Sequence, residues 1–204
     1  MPVKVKICGV RTVEDARAAA HAGADFLGLN FWSGSPRHVD LAQASEIADA
    51  VAGTPLVGVF VDAPRELVER VAAEVGLAAV QFHGDEDAAY CRDWPWRTIK
   101  ALRLRPGDDA AALATRYPTD YVLLDAHVAG RPGGTGVPIA PLIELGALLR
   151  ARLFVAGGLL PETVADAVRR WRPFGVDVAS GVEERPGRKD HAKVEEFIRR
   201  AKAA

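Results

Sequence analysis

Sulfur is scarce in this chain, which has two cysteines, Cys8 and Cys91, and one methionine in 204 residues. Two isolated thiols give no disulfide framework, and nothing flanks them like a zinc or haem motif. Long apolar runs are missing too. No stretch approaches the roughly 18 residues that span a bilayer, and no apolar signal segment follows Met1. Nor is there an excess of one charge. Lys plus Arg total 26 against 27 Asp plus Glu, a formal net charge of −1. That balance lacks the basic footprint of a nucleic-acid binder, though it allows a local basic pocket for a small anion. His21, His38, His127 and His191 have no ligand-like spacing, so no metal site is implied. What remains is a cytoplasmic enzyme acting on a small molecule, without nucleic acid or membrane as partner.

The chain is 49% hydrophobic and 26% charged, an ordinary globular composition that can bury a full core as one domain, residues 1–204. Short apolar runs recur, followed by amphipathic stretches. Strands are expected at 3–7, 25–30, 56–61, 78–82, 97–102, 120–124, 152–156 and 176–179. Val3, Val5 and Ile7 alternate with Lys4 and Lys6, the period of a strand. Leu56 to Val61 and Tyr121 to Leu124 are continuous runs, as in parallel strands buried on both faces. Between them lie helical patterns. Asp40 caps a stripe of Leu41, Ala44, Ile47, Ala48 and Val51. Pro64 opens a helix carrying Leu67, Val68, Val71 and Val75, ended by Gly76. Pro161 opens another, with Glu162 near its positive end, and Asp190 begins the last, carried by Val194, Phe197 and Ile198. Two further helical segments are expected at 85–90 and 107–116, with Asp-rich starts and little periodicity. Eight strands alternating with about eight helices give an open doubly wound sheet or a closed (β/α)8 TIM barrel. The first strand is not followed by Gly-x-Gly-x-x-Gly, and the count of eight favours the barrel.

In a barrel the C-terminal strand ends share one mouth, where ligands bind. Those ends supply Cys8, the Ser35-Pro36-Arg37 loop, Gln81 and His83, Lys100, Asp125, Gly157-Gly158, and Asp177 to Val182. Cys8 reads either as a small buried hydrophobe or as a thiol at this edge. Asp125, leaving an apolar strand, suits a general acid of raised pKa, a cap or a partner for a base. Arg37 has the fork for a planar carboxylate, the alternative being a surface ion pair. His83 fits a positioning role better than direct catalysis, and Cys91 a structural one. Gly157-Gly158 and Ser180-Gly181 follow the seventh and eighth strands, where such barrels often build a phosphate site from backbone N–H groups. The Gly130–Gly136 stretch lacks the Gly-Lys-Ser/Thr ending of a nucleotide loop and reads as an active-site cover.

These pieces, in order Lys6-Ile7-Cys8-Gly9, Ser35-Pro36-Arg37, Val80 to Glu86, Leu123-Leu124-Asp125-Ala126, Gly133-Gly134-Thr135-Gly136, Ala156-Gly157-Gly158-Leu159 and Asp177 to Glu183, resemble the phosphoribosylanthranilate isomerases of tryptophan biosynthesis. The match covers nearly the whole chain. The resemblance implies an Amadori rearrangement of a phosphosugar substrate without a cofactor. Asp125 would be the general acid and Cys8 the general base. Arg37 would hold the anthranilate carboxylate and the two glycine loops the phosphate. Asp177 would contact a sugar hydroxyl, and Gln81 and His83 would line the substrate. Two positions depart from the pattern. Val137 to Pro141 replaces an aromatic-acidic-aromatic group, and Ala179-Ser180 stands where two serines are common. A histidine-pathway isomerase would pair two aspartates, the indole-ring-closing synthase would rely on a lysine and a longer N-terminal segment, and a phosphate-binding barrel without activity would need no Cys8 and Asp125 together. A homodimer is left open.

Overall fold

The computed structural model describes residues 2–104, 108–125 and 146–204. Eight parallel strands close into a barrel in chain order: β1 Lys4–Cys8, β2 Phe26–Asn30, β3 Leu56–Phe60, β4 Ala79–Phe82, β5 Arg97–Arg103, β6 Tyr121–Asp125, β7 Leu153–Ala156 and β8 Gly175–Val178, with β8 pairing back onto β1. All eight expected strands are present, their ends shifted by one residue at most.

A strand closed into a barrel has no solvent face, so its alternation separates the barrel interior from the layer under the helices. In β1, Val5 and Ile7 join the core shared with the helices, while Lys6 turns inward onto Asp177. Inside the barrel, Val57, Ala79, Ile99, Ala101, Leu123, Phe154 and Ala156 pack together. At the N-terminal ends of the strands, four rings plug the floor: Tyr121 lies 4.7 Å from Phe174, and Phe154 lies 5.3 Å from Phe174 and 5.9 Å from Phe26. With that end filled by apolar rings, polar chemistry is left to the other.

The helices among the described residues are α1 Val13–His21, α2 Leu41–Ala50, α3 Arg65–Val75, α4 Ala110–Thr115, α5 Ala147–Arg150, α6 Val164–Trp171 and α7 His191–Lys202. Asp40 caps α2 in a capping box with Gln43, and Asp190 caps α7 by accepting from the Lys193 amide. α7 lays Val194, Phe197 and Ile198 against β1, each worth about 1.5–3 kcal/mol of burial. No helix among the described residues is long and apolar enough to cross a membrane.

Two expectations need correction. The helix at Pro161 starts only at Val164, because the Thr163 hydroxyl accepts from the Leu160 amide and closes a turn over Pro161 and Glu162. Residues 85–90 form turns rather than a helix. There Asp87 caps the Tyr90 amide, and Glu86 is drawn inward onto Lys100. The sequence also gave no sign of a hairpin after β8, formed by β9 Glu183–Arg185 and β10 Arg188–Lys189. It is tied to α1 through the buried Asp15 carboxylate, which accepts from the Lys189 amide and meets His191 Nε2 at 2.8 Å. The Gly130–Gly136 stretch and the Val137 to Pro141 departure lie outside the described residues.

Candidate active site

β1 delivers two side chains to the mouth, Lys6 and Cys8, two residues apart on the inner face. Room for both comes from Gly28 on β2, which pairs with Cys8. A Cβ at Gly28 would sit 2.8 Å from Cys8 Sγ and 3.1 Å from Lys6 Nζ, so the missing side chain is what lets ammonium and sulfur share this space. Lys6 is fully buried and donates to Asp177 Oδ1 at 2.6 Å. Burial works against its ammonium, but Asp177 and Cys8 outweigh it and hold the Lys6 pKa above the ordinary value. Burial pushes the Cys8 thiol up, while Lys6 and, less strongly, Lys189 pull it down. A base at position 8 thus depends on nearby cations to exist as thiolate.

Across the mouth, β6 ends on Asp125. Leu123 belongs to the inner cluster, so Asp125, two residues on, shares its face. Its register partners are Arg103 on β5 and Ala156 on β7. Arg103 donates to the His83 carbonyl at 3.0 Å. His83 senses both halves of the mouth: burial lowers its pKa, Asp125 and Asp177 raise it, and Lys6 and Arg103 lower it further. The imidazole is therefore neutral near pH 7. Gln81 Nε2 lies 2.9 Å from His83 Nδ1. Gln81 itself is fully buried, as the floor beneath His83. The loop after β4 is locked by Lys100, which donates to the Gly84 carbonyl at 2.7 Å and to Glu86 at 2.8 Å. Glu86 in turn accepts from the Asp62 and Gly84 amides. Cys91 is buried, with its thiol pushed up to about 11 mainly by burial.

Arg37 lies across the turn that follows β1, so close that a Cβ on Gly9 would overlap its Cδ. Its guanidinium meets Glu183 side-on, Nε donating at 2.7 Å and Nη2 at 2.6 Å. That uses one edge of the fork and leaves the Nη1–Nη2 edge with its own donors. Glu183 is buried, and its Oε1 also accepts from Lys189 Nζ at 3.1 Å. Burial alone would raise Glu183, but Arg37 and Lys189 hold it below the ordinary carboxylate value.

The two glycine loops meet. Gly157 and Gly158 follow β7 with φ of 88° and 68°, a pair of left-handed residues that only glycine adopts readily. Ser180 opens a short turn, Ser180–Val182, in which a Cβ at Gly181 would collide with the Leu159 carbonyl. Lys189 Nζ donates to the Ala179 carbonyl at 3.0 Å, placing a cation just behind the second loop. The structure thus gathers Cys8, Asp177, Arg37 and Ser180-Gly181 on one side of the mouth, and Asp125, His83 and Gln81 on the other.

The family model for N-(5'-phosphoribosyl)anthranilate (PRA) isomerase matches residues 5–200. The chain belongs to that family. An N-(5'-phosphoribosyl)anthranilate isomerase of Pseudomonas fluorescens is 48% identical over 96% of this chain and 97% of its own length. The crystal structure of phosphoribosylanthranilate isomerase from Thermotoga maritima superimposes with a TM-score of 0.87 at 38% identity, covering 99% of this chain and 100% of that one. Another isomerase structure, in complex with reduced 1-(o-carboxyphenylamino)-1-deoxyribulose 5-phosphate, gives 0.82 at 36% identity and the same coverage.

Three residues of the candidate site received no role from the sequence: Lys6, Glu183 and Lys189. Lys6 had a signal, since a lysine between Val5 and Ile7 in a strand buried on both faces must point into the barrel. Glu183 sat at the end of a recognised motif with no role attached. Lys189 lies in a polar run with no periodicity to mark it.

Proposed function

We propose that this chain converts N-(5'-phosphoribosyl)anthranilate to 1-(2-carboxyphenylamino)-1-deoxyribulose 5-phosphate, with Asp125 as general acid and Cys8 as general base. Asp125 protonates the ribose ring oxygen as the bond from that oxygen to C1' breaks, and the nitrogen lone pair forms the C1'=N iminium. The iminium acidifies the C2' hydrogen. The Cys8 thiolate takes that proton, the C–H electrons form the C1'=C2' bond, and the nitrogen recovers its pair. The resulting enolamine gains a proton at C1' and loses the C2' hydroxyl proton to become the ketone. The observation that carries the reading is the placement of Cys8 and Asp125 at the ends of β1 and β6, both on the inner face of one mouth. Acid and base on opposite sides suit a reaction whose two proton transfers occur at different atoms of one sugar.

The ends of the substrate are anionic, and the mouth matches them. Arg37 takes the anthranilate carboxylate on its Nη1–Nη2 edge. The Gly157-Gly158 and Ser180-Gly181 loops take the phosphate through backbone amides, with Lys189 behind them. Asp177 receives a sugar hydroxyl while paired to Lys6, and neutral His83, held by Gln81, walls the pocket. The test is the fluorescence decay of phosphoribosylanthranilate in the presence of purified protein. Asp125→Asn and Cys8→Ala should each lower kcat about 10²- to 10⁴-fold with an unchanged circular dichroism spectrum. A fully active Asp125→Asn protein refutes the acid assignment, and a fully active Cys8→Ala protein the base.

A further inference from the structure

Lys189 is a fully buried lysine on a hairpin that touches no reacting atom in the proposed proton chemistry, and it needs an explanation. Its Nζ reaches Glu183 Oε1 and the Ala179 carbonyl, and its amide is held by Asp15. The position is thus fixed from three directions. Glu183 already has a complete partner in Arg37, bonded through two parallel donors. A bare Arg37–Glu183 pair would carry no net charge, and a neutral pair attracts a second carboxylate poorly. With Lys189 the trio carries one net positive charge beside the free edge of the Arg37 fork.

We infer that Lys189 is a specificity-determining residue acting through Glu183 and Arg37: Glu183 cancels the Arg37 charge where it occupies the Nε–Nη2 edge, and Lys189 restores the positive charge that this pairing removes, so that the pocket prefers an aromatic amine bearing an ortho carboxylate. The inference rests on the proposed role of Arg37. Lys189 touches no reacting atom in it. Its effect appears as discrimination between ligands that differ only in the carboxylate.

The experiment measures the dissociation constants of two stable ligands by calorimetry. One is reduced 1-(o-carboxyphenylamino)-1-deoxyribulose 5-phosphate, and the other is its phenylamino counterpart without the carboxylate. The ratio of the two constants is the readout, since a loss of general structural integrity weakens both ligands and leaves the ratio alone. Wild type should favour the carboxylate ligand. Lys189→Met, which takes the trio to zero net charge, should shrink the ratio about tenfold. The double variant Lys189→Met/Glu183→Gln returns to one positive charge and should bring the ratio back to within about threefold of wild type. Glu183→Gln alone should keep or raise it, and this arm carries the test if Lys189→Met does not fold. An unchanged ratio in Lys189→Met, equal weakening of both ligands, or a smaller ratio in Glu183→Gln overturns the inference. A wild type that binds both ligands equally, or an Arg37→Ala protein with the wild-type ratio, overturns the Arg37 reading itself.

Discussion

Replacing Lys6 by methionine should leave far less of Cys8 as thiolate near neutral pH, before any substrate is present. Cys8 Sγ and Lys6 Nζ both lie within about 3 Å of one point, the site of a Cβ on Gly28, which puts them at most about 6 Å apart. A unit charge at that range, with an effective dielectric near 20, contributes about 3 kcal/mol to the thiolate, or about two pKa units. Burial has already pushed the thiol up, so Lys6→Met should move it further and cut the thiolate fraction near pH 7.5 about 10- to 100-fold. The assay is the pH dependence of iodoacetamide alkylation, resolved by peptide mass spectrometry so that Cys8 is followed apart from buried Cys91. Removing Lys6 leaves Asp177 buried without its cation, a loss of about 3–5 kcal/mol, so Lys6→Met/Asp177→Asn is the companion protein. Asp177 raises the Cys8 pKa where Lys6 lowers it. Asp177→Asn alone should therefore speed alkylation, Lys6→Met should slow it, and the double variant should fall between. Wild-type alkylation rates across pH 7–10 in Lys6→Met would refute the reasoning.

Gly181→Ala places a methyl against the Leu159 carbonyl and should cost about 1–3 kcal/mol of stability together with affinity for inorganic phosphate as a competitive inhibitor; an unchanged Tm and inhibition constant would show that the loops can part. Arg37→Ala should raise KM more than it lowers kcat, and an unchanged KM with binding near equilibrium counts against the carboxylate contact. Acid should destabilise the fold through Glu183, Asp25 and Asp120, whose folded pKa values lie below the ordinary 4.5 and 3.8 despite burial, because Arg37 and Lys189, Lys4 with the Val5 amide and Lys202, and the Thr98 amide with Arg97 hold their charged forms. The unfolded chain takes up these protons first, so the stabilisation is complete above about pH 5 and is lost as pH falls through the folded values. Urea midpoints measured from pH 6 to pH 3 should fall across the lower half of that range, less steeply in Glu183→Gln, and a flat profile would contradict the pairing.

The barrel was legible because its signals are local. Runs such as Leu56 to Val61 declare a strand buried on both faces wherever they occur, and Asp40, Gly76 and Asp190 mark helix ends by their own hydrogen-bonding and backbone preferences. The site was legible as far as strand ends reach, since closing the sheet brings Cys8 and Asp125 to one mouth without any further information. What failed has a shared cause. The late start of α6 turns on one hydroxyl, that of Thr163, and the turns at 85–90 turn on Glu86 being drawn to Lys100 from 14 residues away. The hairpin at Glu183 to Lys189 is held by Asp15, over 170 residues earlier in the chain. Single polar contacts, three residues apart at Thr163 or far apart at Glu86 and Asp15, leave no period in a sequence.

The same point bears on charge. Counted along the chain, cations and anions cancel to −1, and by that measure a ligand with a carboxylate and a phosphate should find nothing to attract it. In the barrel the count is local. Lys6, Arg37 and Lys189 converge on the side of the mouth that holds Cys8, and each is pinned by a buried carboxylate, Asp177 or Glu183. The pairing costs most of the raw charge, yet it fixes three flexible side chains in one geometry before substrate arrives, which removes the ordering that binding would otherwise require. Three cations against two carboxylates leave a single positive charge, held next to Cys8, the proposed base, and the free edge of the Arg37 fork, the proposed carboxylate site. A neutral ligand or a cation would gain little from such a mouth. A ligand anionic at both ends gains at each.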